Sequence, residues 1–357
     1  MDQASPQFEL VAQSPGHPNG TDYDVVSYFP WTLEDYQSFS ECRNMDWSNP
    51  NVVGMWHGVV KKWIGVAAVC GRNNRQSVIR FVRTSPRNPL QLLHQAEIVT
   101  GPTEAVGIRC ICWSFDPKTF APLVVLGGMS GNIIVYSPET RSIFSVLRGH
   151  GGRITSLNSH PRNPHIIAST SRDKTARLWC LDLPAEMKIS STDPEANRLG
   201  PMFGSPLTGG EKEGLGPGRC FAVTIGGHSD GHNATVLHAS FHPEVNILAT
   251  SGVDHCIKMW SFDLPPPPTA PEAVLVNLVR PIFSTKFLHH AMVSCIHWLS
   301  PSLLVSQSAQ SQTAEQEPFP AKLVVWKWLA YQTYKNVVTS GYEYVKDSLN
   351  ATDSRKK

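Results

Sequence analysis

Two stretches of this chain repeat one another residue type by residue type, and that repetition limits the fold more than any other feature. The first runs from Gly149-His150 to Ile154, then Ile166-Ile167-Ala168-Ser169-Thr170-Ser171-Arg172-Asp173, then Ala176-Arg177-Leu178-Trp179. The second runs from Gly231-His232 to Val236, then Ile247-Leu248-Ala249-Thr250-Ser251-Gly252-Val253-Asp254, then Ile257-Lys258-Met259-Trp260. In both, an aliphatic residue follows the His by four, a Ser or Thr precedes the Asp by four, and the Asp precedes the Trp by six. Gly227-His228 resembles the start of another unit, but its distance to the next strand does not fit. Each unit reads as short alternating strands divided by turn residues. Tyr136 fills the Trp position of an earlier unit, 43 residues before Trp179; Trp179 and Trp260 are 81 apart, or 44 once residues 183–219 are set aside.

A period of about 40–45 residues with this pattern is that of a WD40-type β-propeller blade, an all-β architecture. The repeated polar residues have a physical task. A loop His can donate to the turn Asp and be held by the strand Ser or Thr, which in turn reaches the indole N–H of the Trp. Buried polar groups need such partners. This assigns His150, Ser169, Asp173 and Trp179, and likewise His232, Thr250, Asp254 and Trp260, to structural relays. A His/Ser/Asp set is also the recipe for a hydrolase triad, but a triad does not recur with a structural repeat, and no G-x-S-x-G elbow accompanies this one. No catalytic residue is expected.

Three weaker blades flank these two. The first is read from residues 23–29 through 63–69 to 78–82, the second across 108–136 and the fifth across 293–326. Blades therefore occupy residues 23–328, with a polar, Gly/Pro-rich insert at 183–219 read as a solvated loop. Residues 1–22 are polar and turn-rich and are expected to be disordered. The polar tail, 329–357, has room for a short helix near Tyr342 to Leu349.

Composition excludes several function classes. Net charge is +2 with no strongly basic block before the last residues, which argues against direct sequence-specific nucleic-acid binding. Eight cysteines form no C-x-x-C pair and mostly sit in apolar runs, so reduced core thiols are expected, with no metal and no cofactor. The first residues carry no basic-then-apolar signal, and no apolar run is long enough to cross a membrane, so a soluble intracellular protein is expected.

The words between the repeats are more specific. His160-Pro161-Arg162-Asn163-Pro164, Arg172-Asp173-Lys174-Thr175-Ala176-Arg177-Leu178-Trp179, Asp254-His255-Cys256-Ile257-Lys258-Met259-Trp260, Arg280-Pro281-Ile282-Phe283-Ser284 and Val293-Ser294-Cys295-Ile296-His297-Trp298-Leu299 stand in order along the chain. With Cys112-Trp113-Ser114-Phe115-Asp116 they resemble the EED / Extra sex combs family of Polycomb WD-repeat proteins across residues 23–328. The resemblance implies a nuclear, non-catalytic scaffold, with a SET-domain histone methyltransferase subunit, other Polycomb subunits and the histone H3 tail as partners. It also implies seven blades, of which five are recognisable here. Of the aromatic cage that reads methyl-lysine in the family, Tyr23 fits one position and Arg109 stands where another aromatic is expected; the remaining rings come from a late blade this sequence does not supply. For Arg109 a plain alternative is a strand-end arginine paired with an acid such as Glu104. The competing class is a WD-repeat substrate receptor, such as that of a ubiquitin ligase, or an interaction scaffold outside chromatin. Receptors of that kind usually place an Arg two residues after Trp-Asp, whereas here the words are Trp179-Cys180-Leu181-Asp182 and Trp260-Ser261-Phe262-Asp263.

Overall fold

The short apolar runs become strands of five sheets in a computed structural model that describes residues 22–39, 46–73, 76–84, 90–98, 107–191, 214–227, 230–310 and 320–339. Blade 1 is β1 (Asp22–Tyr28), β2 (Val66–Asn73), β3 (Gln76–Arg83) and β4 (Gln91–Ile98). Blade 2 is β5 (Ile108–Phe115), β6 (Pro122–Gly128), β7 (Ile133–Ser137) and β8 (Ser142–Leu147). Blade 3 takes β9 (Ile154–Ser159), β10 (Ile166–Ser171) and β11 (Ala176–Cys180). After β12 (Lys188–Ser191) and β13 (Gly214–Leu215), β14 (Arg219–Thr224) becomes its fourth strand. Blade 4 is β15 (Val236–Phe241), β16 (Ile247–Gly252) and β17 (Ile257–Ser261); β18 (Glu272–Leu278) then leaves it before β19 (Phe283–Thr285) completes it. Blade 5 has β20 (Val293–Ser300), β21 (Leu303–Ser308) and β22 (Lys322–Lys327). The first strands of successive blades adjoin in the series β1, β5, β9, β15, β20.

Period-two side-chain alternation explains how the sheets stack. Successive strand residues point to opposite faces. In β10, Ile167 packs toward blade 2 with Leu123 and Val125, while Ile166 and Ala168 pack toward blade 4 with Phe241 and Leu248. In β16, Leu248 faces blade 3, while Ile247 and Ala249 face blade 5 with Ile296 and Leu304. Both strands are buried at every residue. The end blades differ. Val26 and Tyr28 of β1 are 55% and 56% exposed, and Leu323 and Val325 of β22 are 69% and 55% exposed, so each end blade keeps one open face.

Blade 1 departs from its expected strands. The strand expected from Trp63 to Val69 begins instead at Val66, because residues 50–63 form a helix, α1 (Pro50–Trp63). Its two Gly and four Val disfavour a helix locally. Capping decides otherwise: the Asn49 side chain accepts from the backbone N–H of Asn51, and Pro50 opens the first turn. Trp56, Val60 and Trp63 then share one face and are buried with Phe39, Phe115 and Phe120 against blade 2.

Both described ends of the insert at 183–219 are held by sheets. Leu183 and Met187 are buried, β12 runs parallel to β18, β13 pairs with β8 of blade 2, and Arg219 is buried at the start of β14. Residues 192–213 lie outside the described residues, as do 1–21 and the helix expected near Tyr342 to Leu349. Nearer in, α2 (Tyr331–Thr339) folds onto blade 4: Tyr334 Oη and Ser261 Oγ are 2.7 Å apart, and Lys335 Nζ lies 2.8 Å from Glu244.

Candidate functional site

Two chains of hydrogen bonds run through the repeated residues. In blade 3, Trp179 Nε1 donates to Ser169 Oγ at 2.8 Å, Ser169 Oγ lies 2.7 Å from His150 Nε2, and His150 Nδ1 lies 2.8 Å from Asp173 Oδ2. In blade 4, Trp260 Nε1 donates to Thr250 Oγ1 at 2.9 Å, His232 Nε2 is 2.9 Å from Thr250 Oγ1, and His232 Nδ1 is 2.9 Å from Asp254 Oδ2. The chain brings all eight residues together in two sets of four.

Each Asp also ties its loop to its turn. Asp173 accepts from the N–H of Gly151 and of Thr175, and Asp254 from those of Asn233 and Cys256. The residue after each Asp, Lys174 or His255, sits at a positive φ of 72° or 63°. A non-glycine residue pays for that conformation, and the Asp side chain bracing the turn offsets it.

Charge follows geometry. Burial lowers the pKa of His150, more than Asp173 raises it, so the imidazole is neutral. Burial would raise Asp173, but His150, Thr175 and Arg177 outweigh it and draw the carboxyl down to about 2. The protons therefore run one way, from indole to hydroxyl, from hydroxyl to Nε2, and from Nδ1–H to carboxylate. A hydrolase triad has the same proton polarity, and it is access that separates the two. Ser169 and Thr250 are fully buried, and each oxygen is already held by an indole.

Blade 5 carries a third relay that the sequence reading did not assign. His289 Nε2 lies 2.7 Å from Ser306 Oγ, which accepts from Trp326 Nε1 at 3.1 Å. Gln310 stands where the Asp would fall, four residues after Ser306, and His289 Nδ1 is buried with no hydrogen-bond partner among the described residues. A second repeated feature was also missed, although its signal is plain: a His-Pro pair ten residues after each loop His, His160-Pro161 and His242-Pro243. Each imidazole Nδ1 accepts two backbone N–H groups, those of Arg162 and Asn163 or of Glu244 and Val245. His242 also donates from Nε2 to the Pro301 carbonyl of blade 5 at 2.7 Å. Burial pushes His160 down to about 3 and His242 down to about 4.

Tyr23 and Arg109 do not form an aromatic pocket. A register break in the first strand of each blade leaves one residue out of the pairing; in β1 that residue is Asp24 and in β5 it is Arg109. The two meet across the blade interface, with Arg109 Nη1 2.8 Å from Asp24 Oδ1 and Arg72 Nε 3.4 Å from Asp24 Oδ2. Arg109 thus pairs with Asp24, and Glu104 lies outside the described residues. The Arg80 guanidinium stands 5.3 Å from the centroid of the Tyr23 ring and donates to its hydroxyl. One face of that ring is already occupied by a cation.

Comparison with known proteins agrees with this architecture. The family model "WD domain, G-beta repeat" matches residues 141–180 and 222–261. The chain is 31% identical to Polycomb protein EED of Chaetomium thermophilum over 202 residues, covering 57% of this chain and 29% of that protein. It is 25% identical to Polycomb protein esc of Drosophila melanogaster over 258 residues, covering 67% of this chain and 49% of that protein. A chain in the crystal structure of an active polycomb repressive complex 2 in the basal state superposes with a TM-score of 0.50 at 26% identity, over 68% of this chain and 43% of that one. A chain in the structure of ctPRC2 in complex with H3K27me3 and H3K27M gives a TM-score of 0.52 at 22% identity, over 82% and 47%, a likeness of fold alone. This chain spans less than half the length of each of these relatives.

Proposed function

The chain belongs to the EED / Extra sex combs family of Polycomb WD-repeat proteins, and on that premise we propose that it is a non-catalytic scaffold in a Polycomb-type histone H3 lysine methyltransferase complex. The observation that carries this reading is the 31% identity to a Polycomb EED protein over a stretch built of WD-repeat blades. The relay geometry supports the non-catalytic part, since the relay hydroxyls of Ser169, Thr250 and Ser306 are buried and each accepts from an indole. The partners in this proposal are the catalytic SET-domain subunit and further Polycomb subunits, and the place of action is the nucleus. A blade surface offers a broad rigid face on which an extended helical segment of the catalytic subunit docks.

The same proposal assigns little methyl-lysine reading to Tyr23 and Arg109. Recognition of a trimethylammonium group depends on open aromatic faces. Here Arg80 covers the tyrosine ring, and Arg109 and Arg72 are both paired with Asp24. Histone H3 contact, where it occurs, is then insensitive to methylation at this point.

Affinity purification of the tagged chain from nuclear extract tests the reading. A SET-domain methyltransferase should co-purify. Recovery of a cullin adaptor in its place would favour the substrate-receptor reading and overturn this one.

A further inference from the structure

Blades 4 and 5 meet along their first strands, and that seam brings His238 of β15 beside Cys295 and His297 of β20. One nitrogen of each imidazole and Cys295 Sγ all lie within 4.8 Å of one another. We propose that these three side chains bind a Zn²⁺ ion through two imidazole nitrogens and one thiolate, leaving a fourth position open to water or an incoming ligand.

The strands build this cluster in three ways. Cys295 and His297 are two residues apart in β20 and so share a face. The register break that recurs in every first strand places Val25, Cys110, Ser156, His238 and Cys295 at the equivalent position just after it. Of the adjacent blades, 4 and 5 put a His beside a Cys at that position. Finally, His238 is oriented by a backbone bond: its Nδ1 lies 3.1 Å from the Ile296 carbonyl, the group between the other two ligands. An Nδ1–H donated there leaves the Nε2 lone pair for a metal, and a second-shell bond to a backbone carbonyl is how metal-binding imidazoles are commonly held.

Size and chemistry fit the ion. Tetrahedral zinc at about 2.0–2.3 Å from nitrogen and sulfur sets its ligand atoms roughly 3.3–3.8 Å apart, so the cluster needs to close by about 1 Å or slightly more. His297 can supply that movement because it is exposed, while His238 and Cys295 are half-buried and fix the other two corners. The imidazole rings of His238 and His297 already stand 4.7 Å apart, centroid to centroid. Two imidazoles and a thiolate form a borderline-soft donor set that disfavours Mg²⁺ and Ca²⁺. On binding, the Cys295 thiol releases its proton to solvent and the ion enters past His297. With three protein ligands the site has the stoichiometry of an open zinc centre rather than a closed structural one.

The test uses the full 357-residue chain, stripped with a chelator and titrated with Zn²⁺ by calorimetry, with Co²⁺ as a spectroscopic probe. One ion should bind per chain, and Co²⁺ should give a thiolate charge-transfer band. Cys295→Ser should abolish that band, and Cys295→Ser and His297→Asn should each weaken zinc binding by at least about 10–100-fold, the cost of losing even an outer-shell partner. Cys256→Ser, outside the cluster, should bind as the wild type does. Because His297 is exposed, His297→Asn should melt at the wild-type temperature, which separates lost ligation from lost folding. Absence of saturable binding, or binding that both ligand variants leave unchanged, would overturn the proposal.

Discussion

Blades 4 and 5 share an indole–hydroxyl–imidazole chain, and their relays differ in one link. In blade 4 a buried imidazole joins a strand hydroxyl to a turn carboxylate, so loop, sheet and turn are tied together. In blade 5 the imidazole reaches the hydroxyl, but its other nitrogen has no described partner, and residues 311–319 lie outside the described residues where blade 4 has a tight turn. The third strands differ for a separate reason: β17 is buried at four of its five residues and paired with β19, whereas β22 ends its sheet on the open face of an end blade. The difference teaches that the indole–hydroxyl–imidazole chain is enough to seat a strand, while in blades 3 and 4 the carboxylate adds the tie between loop and turn.

Acid should break this comparison most severely. His160 and His165 of blade 3 are pushed by burial to about 3 and about 4, and His238 and His242 of blade 4 to about 4. These groups are neutral when folded and protonate near the ordinary histidine value when unfolded. The unfolded chain therefore binds more protons below about pH 6.5, and stability present above that value is lost as pH falls toward 4. Each fully linked group removes up to about 1.4 kcal/mol per pH unit in that window. Melting temperature should drop steadily from pH 7 to pH 5, and hydrogen exchange should open blades 3 and 4 first, since blade 5 has Ser300 before Pro301 in place of His. A flat profile would mean that these imidazoles can take a proton inside the fold.

The carboxylates come next. Asp173→Ala and Asp254→Ala should each cost about 1–3 kcal/mol by stranding a buried imidazole and the turn N–H groups. Ser306→Ala in blade 5 should cost less, about 0.5–1.5 kcal/mol, because it removes the hydroxyl between Trp326 and His289 without removing a carboxylate. Equal melting shifts for all three would erase the distinction between the blades. The smallest effect concerns Arg109. The wild type should bind trimethylated and unmodified lysine peptides alike, and Arg109→Tyr should add a methyl preference of at most about 0.5–2 kcal/mol, one ring face. Calorimetry with both peptides decides it, and a clear methyl preference in the wild type would reverse the reading of this corner.

What was legible in the sequence follows from how narrowly chemistry restricts each feature. The two full relays could be read because a sealed chain of hydrogen bonds admits few residue types at few spacings. The third escaped because its aspartate is gone and because Trp326, though paired in the same register as Trp179 and Trp260, stands 20 residues after Ser306, well beyond the spacing of the other two units. The helix at residues 50–63 was hidden because Val and Gly argue against it locally, and its support, the buried aromatic seam with Phe115 and Phe120, is tertiary. Arg109 pairs with Asp24 of another blade, and the cation at the Tyr23 ring is Arg80. No local pattern names such a partner.

The excursion of β18 has a bearing on modularity. This strand departs from blade 4 after β17, lies parallel along β14 of blade 3, and returns as β19 to finish the blade it left. Repeats in most arrays can be excised or shuffled as cassettes because each ends where it began. Here a cut that lifts out the fourth unit strips its neighbour's border, and a graft of the third alone arrives with that border bare. For recombination, natural or engineered, the smallest heritable piece of this region is the pair.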